Sequence, residues 1–140
     1  MFSPPASAVV PRLVALSTVT PAHPMAQADI EARAAEVYET AATDFTRLRP
    51  IYANAGIEMR QFCLPPSGYY KLAGWKQRNE LYLEHAVSLL EQAAAECLAR
   101  AGLPASAVDA IVAVSSTGIA TPSLDARLME RLPFRRNVER

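Results

Sequence analysis

Hydrophobic and polar positions change rhythm several times along this chain, and each change marks an element. Arg12 to Thr18 sets Leu13, Val14 and Leu16 in a short apolar run, with Val19 just beyond, and predicts a first strand. Thr20, Pro21 and Pro24 break the run into a loop that carries His23. From Met25 to Thr40 apolar side chains fall three and four apart, at Ile30, Ala34 and Val37 and on to Ala41, which is the spacing of one helix face. A second helical pattern runs from about Thr43 toward Asn54 through Phe45, Leu48, Ile51 and Tyr52. Pro50 inside it should kink the helix or end it early, because proline has no N–H to donate. Asn54, Ala55 and Gly56 are a helix stop, and Ile57 to Leu64 reads as a strand in which Arg60 makes one face wet or paired.

Pro65 to Gly74 is a turn-rich connection holding Tyr69, Tyr70 and Lys71, followed by Trp75. Aromatic rings beside lysines either form a binding lip or pack down under the loop, and packing is the commoner use. The longest element runs from near Lys76 to Ala101. Its polar positions Glu80, Glu84, Ser88, Gln92, Glu96 and Arg100 step by four into one narrow stripe, which predicts a helix covered on most sides. So thin a wet face suggests that the core continues beyond this chain. Gly102 and Pro104 end the helix, and Ala110 to Val114 then reads as a strand buried on both faces. Ser115, Ser116 and Thr117 follow at once, Gly118 permits a turn, and Pro122 suits the first turn of a short helix marked by Leu124, Leu128 and Leu132, with Asp125, Arg127, Glu130 and Arg131 outward. Alternating strands and helices without a repeat describe an α/β unit. Hydroxyls at a strand's end either satisfy loose backbone groups or line a pocket, since open α/β folds bind ligands beyond the carboxyl ends of their strands.

Composition narrows the function more than the fold. The chain has 140 residues, 51% of them hydrophobic, and its acidic and basic side chains cancel. It has no field to attract nucleic acid or an anionic membrane, so a charged ligand must be met by local residues. Residues 1–11 are proline-rich and expected to be loose; residues 12–140 form the domain. The apolar N-terminal stretch lacks a basic start and is split by Pro11 and Arg12, and no run of about eighteen apolar residues occurs, so a cytoplasmic protein without a membrane span is expected. Cys63 and Cys97 show no metal-ligand spacing, and no metal site is expected. Cys97 falls on an apolar helix face, where a thiol packs as a small hydrophobe; Cys63 becomes a nucleophile only if His23 or His85 approaches it.

Four blocks in order, NAGIEMR, GWKQRNELYLEHA, AGLPASAVDAIVAV and SSTGIATPSLDARL, carry more than a rhythm. Together they make the chain resemble the type III polyketide synthases, the chalcone and stilbene synthase family, on its bacterial side, over about residues 13 to 138. The resemblance implies an α/β chain that is the N-terminal half of a thiolase-like αβαβα fold, incomplete as it stands, from an enzyme that works as a homodimer. It implies an acyltransferase that condenses an acyl-CoA starter with malonyl-CoA by decarboxylative Claisen condensation, with coenzyme A thioesters as substrates and no cofactor. The family's cysteine, histidine and asparagine fall after RRNVER, so no catalytic residue is assigned here, and the chain alone is expected to be inactive without a C-terminal half.

Other positions do transfer by resemblance. Ser116 and Thr117 match a hydroxyl pair that lines the substrate pocket. Thr121 matches the residue that crosses the dimer interface into the partner's cavity, where plant enzymes carry methionine. Arg47 matches a basic residue facing the coenzyme A phosphates, while Pro50 and Asn54 stand where two other cations are expected, leaving Arg49 to compensate. The alternatives are a ketoacyl synthase of fatty-acid synthesis, against which the NAGIEMR and GWKQRN blocks argue, and a non-catalytic dimerisation or regulatory half.

Overall fold

The computed structural model describes residues 10–39, 44–69 and 74–140. They fold in two compact units, Thr20–His85 and a second made of residues up to Val19 together with Ala86–Arg140. The expected loose segment lies almost wholly outside the described residues, as do Thr40, Ala41, Thr43, Tyr70 and Lys71.

In the unit Thr20–His85, β1 (His23–Ala26) pairs antiparallel with β2 (Met59–Phe62), setting His23 opposite Phe62 and Met25 opposite Arg60. His23 therefore opens a strand where the sequence suggested a loop. Its pairing partner lies far along the chain, and a two-stranded ribbon tolerates Pro24 because half of its N–H groups have no ladder partner to meet. The chain passes straight into α1 (Gln27–Glu39), and the Gln27 amide extends the ladder by donating to the Glu58 carbonyl at 2.8 Å.

The second helical pattern divides at Pro50. A 3₁₀ turn over Phe45–Arg47 comes first, and α2 (Pro50–Asn54) begins on the proline itself, where its missing N–H costs nothing. Asp44 caps the turn by accepting from the Thr46 amide at 3.1 Å. Phe45 is the anchor: it is buried, stacked on Tyr38 with centroids 5.5 Å apart and tilted against Tyr52 at 5.8 Å. After β2, a short α3 (Pro66–Tyr69) brings the Tyr69 ring edge-on to Phe62. Trp75 stays exposed, contrary to the packing expected for it.

The long helix α4 covers Trp75–Ala101, as its polar stripe indicated. Gly102, at φ 66°, closes it: its amide donates to the Ala99 carbonyl and that of Leu103 to Leu98, the paired bonds that a left-handed glycine makes possible. Cover for this helix is sparse among the described residues. Of its residues only Val87 is buried, because few described residues pack against it.

In the unit that includes Ala86–Arg140, α5 (Leu124–Leu128) follows an N-cap at Ser123, so Pro122 precedes the helix instead of sitting in its first turn. Leu124 and Leu128 join Val87, Ala105 and Val138 as the buried apolar side chains of this unit, and Leu132, past the end of α5, is half-buried. Residues 10–19 lie along α4, where the Ser17 hydroxyl donates to Glu96 Oε2 at 2.9 Å and Arg100 donates to the Leu16 carbonyl at 2.9 Å.

Neither strand expected in this unit forms. Arg12 to Thr18 joins no ladder, and Ala110 to Val114 makes a single parallel bridge, Ala110 to Glu139. Val112 and Val114 are 87% and 89% exposed, the reverse of burial on both faces. A strand needs a neighbour for its backbone and cover for its faces. Among the described residues only the segment at Glu139 supplies a neighbour, reinforced by an Arg135 to Asp109 ion pair at 2.6 Å.

Candidate functional site

The hydroxyl loop forms on short-range bonds. The Ser115 hydroxyl donates to the Thr117 carbonyl at 2.9 Å, and the Thr117 amide points back to Ser115 Oγ at 3.4 Å. Gly118 then turns the chain at φ 69°. Ser115 thus does the backbone work that hydroxyls at a strand's end commonly do, while Ser116 and Thr117 stand exposed on the same turn. Thr121 is exposed a few residues on, and its carbonyl is held: Arg127 donates to the carbonyls of Thr121 at 3.1 Å and Pro122 at 3.0 Å. Arg127, expected to point outward, is the brace between α5 and this loop. Its planar fork can serve two carbonyls at once, which helix spacing alone does not reveal.

Arg47 and Arg49 belong to the other unit. Arg47 is exposed in the 3₁₀ turn. Arg49, just before Pro50, pairs through Nε with Glu31 on α1. No local spacing links Glu31 to Arg49, because the two lie on different elements. The same face of α1 carries Gln27, whose amide donates to the Tyr52 carbonyl and whose oxygen accepts from Arg60 Nε, the pairing that the interrupted strand face required.

One further cavity in this unit, about 290 Å³, is almost wholly apolar and lined by Met25, Ile30, Val37, Tyr38, Phe62 and Tyr69, among others. Tyr69, a candidate for a binding lip in the sequence, lines it, whereas Ser116, Thr117, Thr121, Arg47 and Arg49 do not. Cys63 and Cys97 are half-buried free thiols. Burial pushes the Cys63 thiol up, away from the thiolate a nucleophile needs, and neither histidine contributes to that shift. No cluster of three or more histidine, cysteine or acidic side chains able to hold a metal occurs among the described residues.

Residues 6–140 match the family described as chalcone and stilbene synthases, N-terminal domain. The chain belongs to this family. It is 36% identical over 128 residues to the 1,3,6,8-tetrahydroxynaphthalene synthase of Streptomyces peucetius subsp. caesius, an alignment covering 91% of this chain and 34% of that protein. The solved 1,3,6,8-tetrahydroxynaphthalene synthase of Streptomyces coelicolor A3(2), a bacterial type III polyketide synthase, superposes with a TM-score of 0.78 at 25% identity, over 89% of this chain and 36% of that one. PKS-I from the brown alga Ectocarpus siliculosus shares the fold, with a TM-score of 0.72 at 24% identity over 91% of this chain and 37% of that one.

The chain spans about a third of the length of the curated relatives it matches. Its fold is accordingly the N-terminal portion of the thiolase-like type III polyketide synthase fold, as the four sequence blocks implied. No helix among the described residues is long and apolar enough to cross a membrane.

Proposed function

We propose that this chain is the N-terminal part of a cytoplasmic, homodimeric type III polyketide synthase, and that the whole enzyme condenses an acyl-CoA starter with malonyl-CoA. In that reaction malonyl-CoA loses carbon dioxide, the resulting carbanion equivalent attacks the enzyme-held acyl thioester, a carbon–carbon bond forms, and the cysteine thiolate leaves. The thiolate, histidine and asparagine belong to the portion of the relatives that this chain does not span, so the chain supplies walls and contacts only. Ser116 and Thr117 line the acyl pocket, Thr121 reaches the partner's cavity, and Arg47 with Arg49 meets the coenzyme A phosphates, where charge-assisted bonds are strongest. The observation that carries this reading is the family match across residues 6–140, with 36% identity to a bacterial relative over nearly all of the chain.

The parallel bridge between Ala110 and Glu139 supports it further. A strand continuing in that register would run beside residues 111–115 and end near Ser116 and Thr117. The test joins this chain to the remaining length of the Streptomyces peucetius relative and supplies an acyl-CoA and malonyl-CoA. The joined protein should release carbon dioxide and give polyketide visible by mass spectrometry, and the chain alone should give neither. Carbon dioxide release by the chain alone, or a folded joined protein that binds malonyl-CoA without consuming it, would overturn the proposal.

A further inference from the structure

The segment carrying Arg47 and Arg49 is gripped from one face of α1, by two side chains one helical turn apart. Gln27, 8% exposed, ties that face to the Tyr52 carbonyl at 3.1 Å and to Arg60 Nε at 2.9 Å, which fixes α2 against α1 and β2. Glu31 then accepts from Arg49 Nε at 2.5 Å. The pair is lopsided: the Glu31 side chain is 24% exposed and that of Arg49 is 68% exposed. A carboxylate on a packed helix holds the root of an arginine whose tip is in solvent.

Such a pair contributes little to stability, because solvent screens it and both side chains lose rotamer freedom. Its geometry is more informative. Nε sits at the base of the guanidinium fork, so a bond there orients the plane while the two terminal nitrogens keep their N–H donors, the pair that matches a phosphate. The open cavity of about 330 Å³ bordering Glu31 carries carboxylates from Glu31 and Glu58 and no cation among its lining residues. That lining offers a phosphate no cationic partner, whereas the arginine tip does.

We propose that Glu31 is a positioning residue for Arg49, presenting its terminal nitrogens to the phosphates of a coenzyme A thioester; the role rests on the function proposed above. The test measures binding of coenzyme A, and of pantetheine as the phosphate-free control, to the chain and its variants by calorimetry, with circular dichroism to show that each is folded. Glu31→Ala frees the arginine and should weaken coenzyme A binding by about threefold to tenfold, the usual cost of ordering one long side chain. Glu31→Gln keeps an acceptor for Nε while removing the charge, and should bind at least as tightly as the parent. In an Arg49→Ala background Glu31→Ala should change nothing, and pantetheine should not distinguish any of these proteins.

Tighter binding by both Glu31 variants would make Glu31 a mask and overturn the proposal, as would a Glu31→Ala loss that survives without Arg49 or that pantetheine shares. In those cases the assignment of a coenzyme A substrate would stand. If the parent chain binds coenzyme A no better than pantetheine, both the positioning role and the phosphate contacts of the proposed function fall.

Discussion

The two units are built from the same chemistry but differ in how far their contacts are satisfied. In Thr20–His85 the two-stranded ribbon is paired, Phe45 lies between two tyrosines, and Gln27, the one buried polar side chain among the described residues, has a partner for its nitrogen and for its oxygen. In the other unit the apolar residues most suited to a strand are the most exposed, Val112 and Val114 among them, while the buried set is confined to α5 and a few residues around it. Elements stabilised by partners within reach complete themselves. Residues 112–114 do not, because among the described residues only the segment at Glu139 pairs with this stretch, at Ala110 and Ile111.

Truncating a buried side chain gives the largest effect expected from this contrast. Leu128→Ala should destabilise its unit by about 2 to 4 kcal/mol, read as faster hydrogen exchange at the amides of α5, because the cavity it leaves adds to the lost burial. Gln27→Ala comes next: it strands the Tyr52 carbonyl and Arg60 Nε and should cost about 1 to 3 kcal/mol, seen in the exchange of β2 and α2 amides. Val112→Ser should be nearly silent in this chain, within about 0.5 kcal/mol, since the side chain already faces water. Should Leu128→Ala prove silent and Val112→Ser costly, the contrast between the two regions would be reversed.

Cys63 gives the smallest effect. Its folded pKa is raised by burial, so the neutral thiol is favoured; the small stability this confers is present below the unfolded pKa and lost as pH rises through the folded one. Alkylation of Cys63 by iodoacetamide in mildly alkaline buffer should be slower than in the urea-unfolded chain, with its pH midpoint displaced upward. Faster alkylation in the folded chain would show an activated thiolate that the structure does not provide.

How much the sequence revealed follows the same division. The long helix was legible almost to the residue, because its polar stripe and the glycine that ends it are local signals. The turn built by Ser115, Thr117 and Gly118 was legible for the same reason. Local pattern puts His23 in a loop, since its strand exists only by pairing with residues around Phe62. Local pattern makes Pro50 a kink or an early end, although proline is also at ease in the first turn of a new helix, which is where it stands. Arg12 to Thr18 and Ala110 to Val114 have strand-like composition, and composition reports the environment a segment suits, which the described residues only partly provide. At the candidate site family resemblance gave Ser116, Thr117, Thr121 and Arg47 their roles, whereas Arg127, which turns back on carbonyls five and six residues before it, and Glu31, which meets Arg49 from another helix, emerge only from the folded geometry.

The proposed function makes residues 112–114 an interior strand that pairs only in the whole enzyme. Hydrogen exchange at those amides, compared between this chain alone and the chain joined to the remaining length of its Streptomyces relative, tests it most directly. Exchange at residues 112–114 should be near the unprotected rate in the chain alone, where the Ile111 amide already donates to the Glu139 carbonyl, and slowed by orders of magnitude in the joined protein. Strong protection in the chain alone, or none in the joined and active protein, would contradict it.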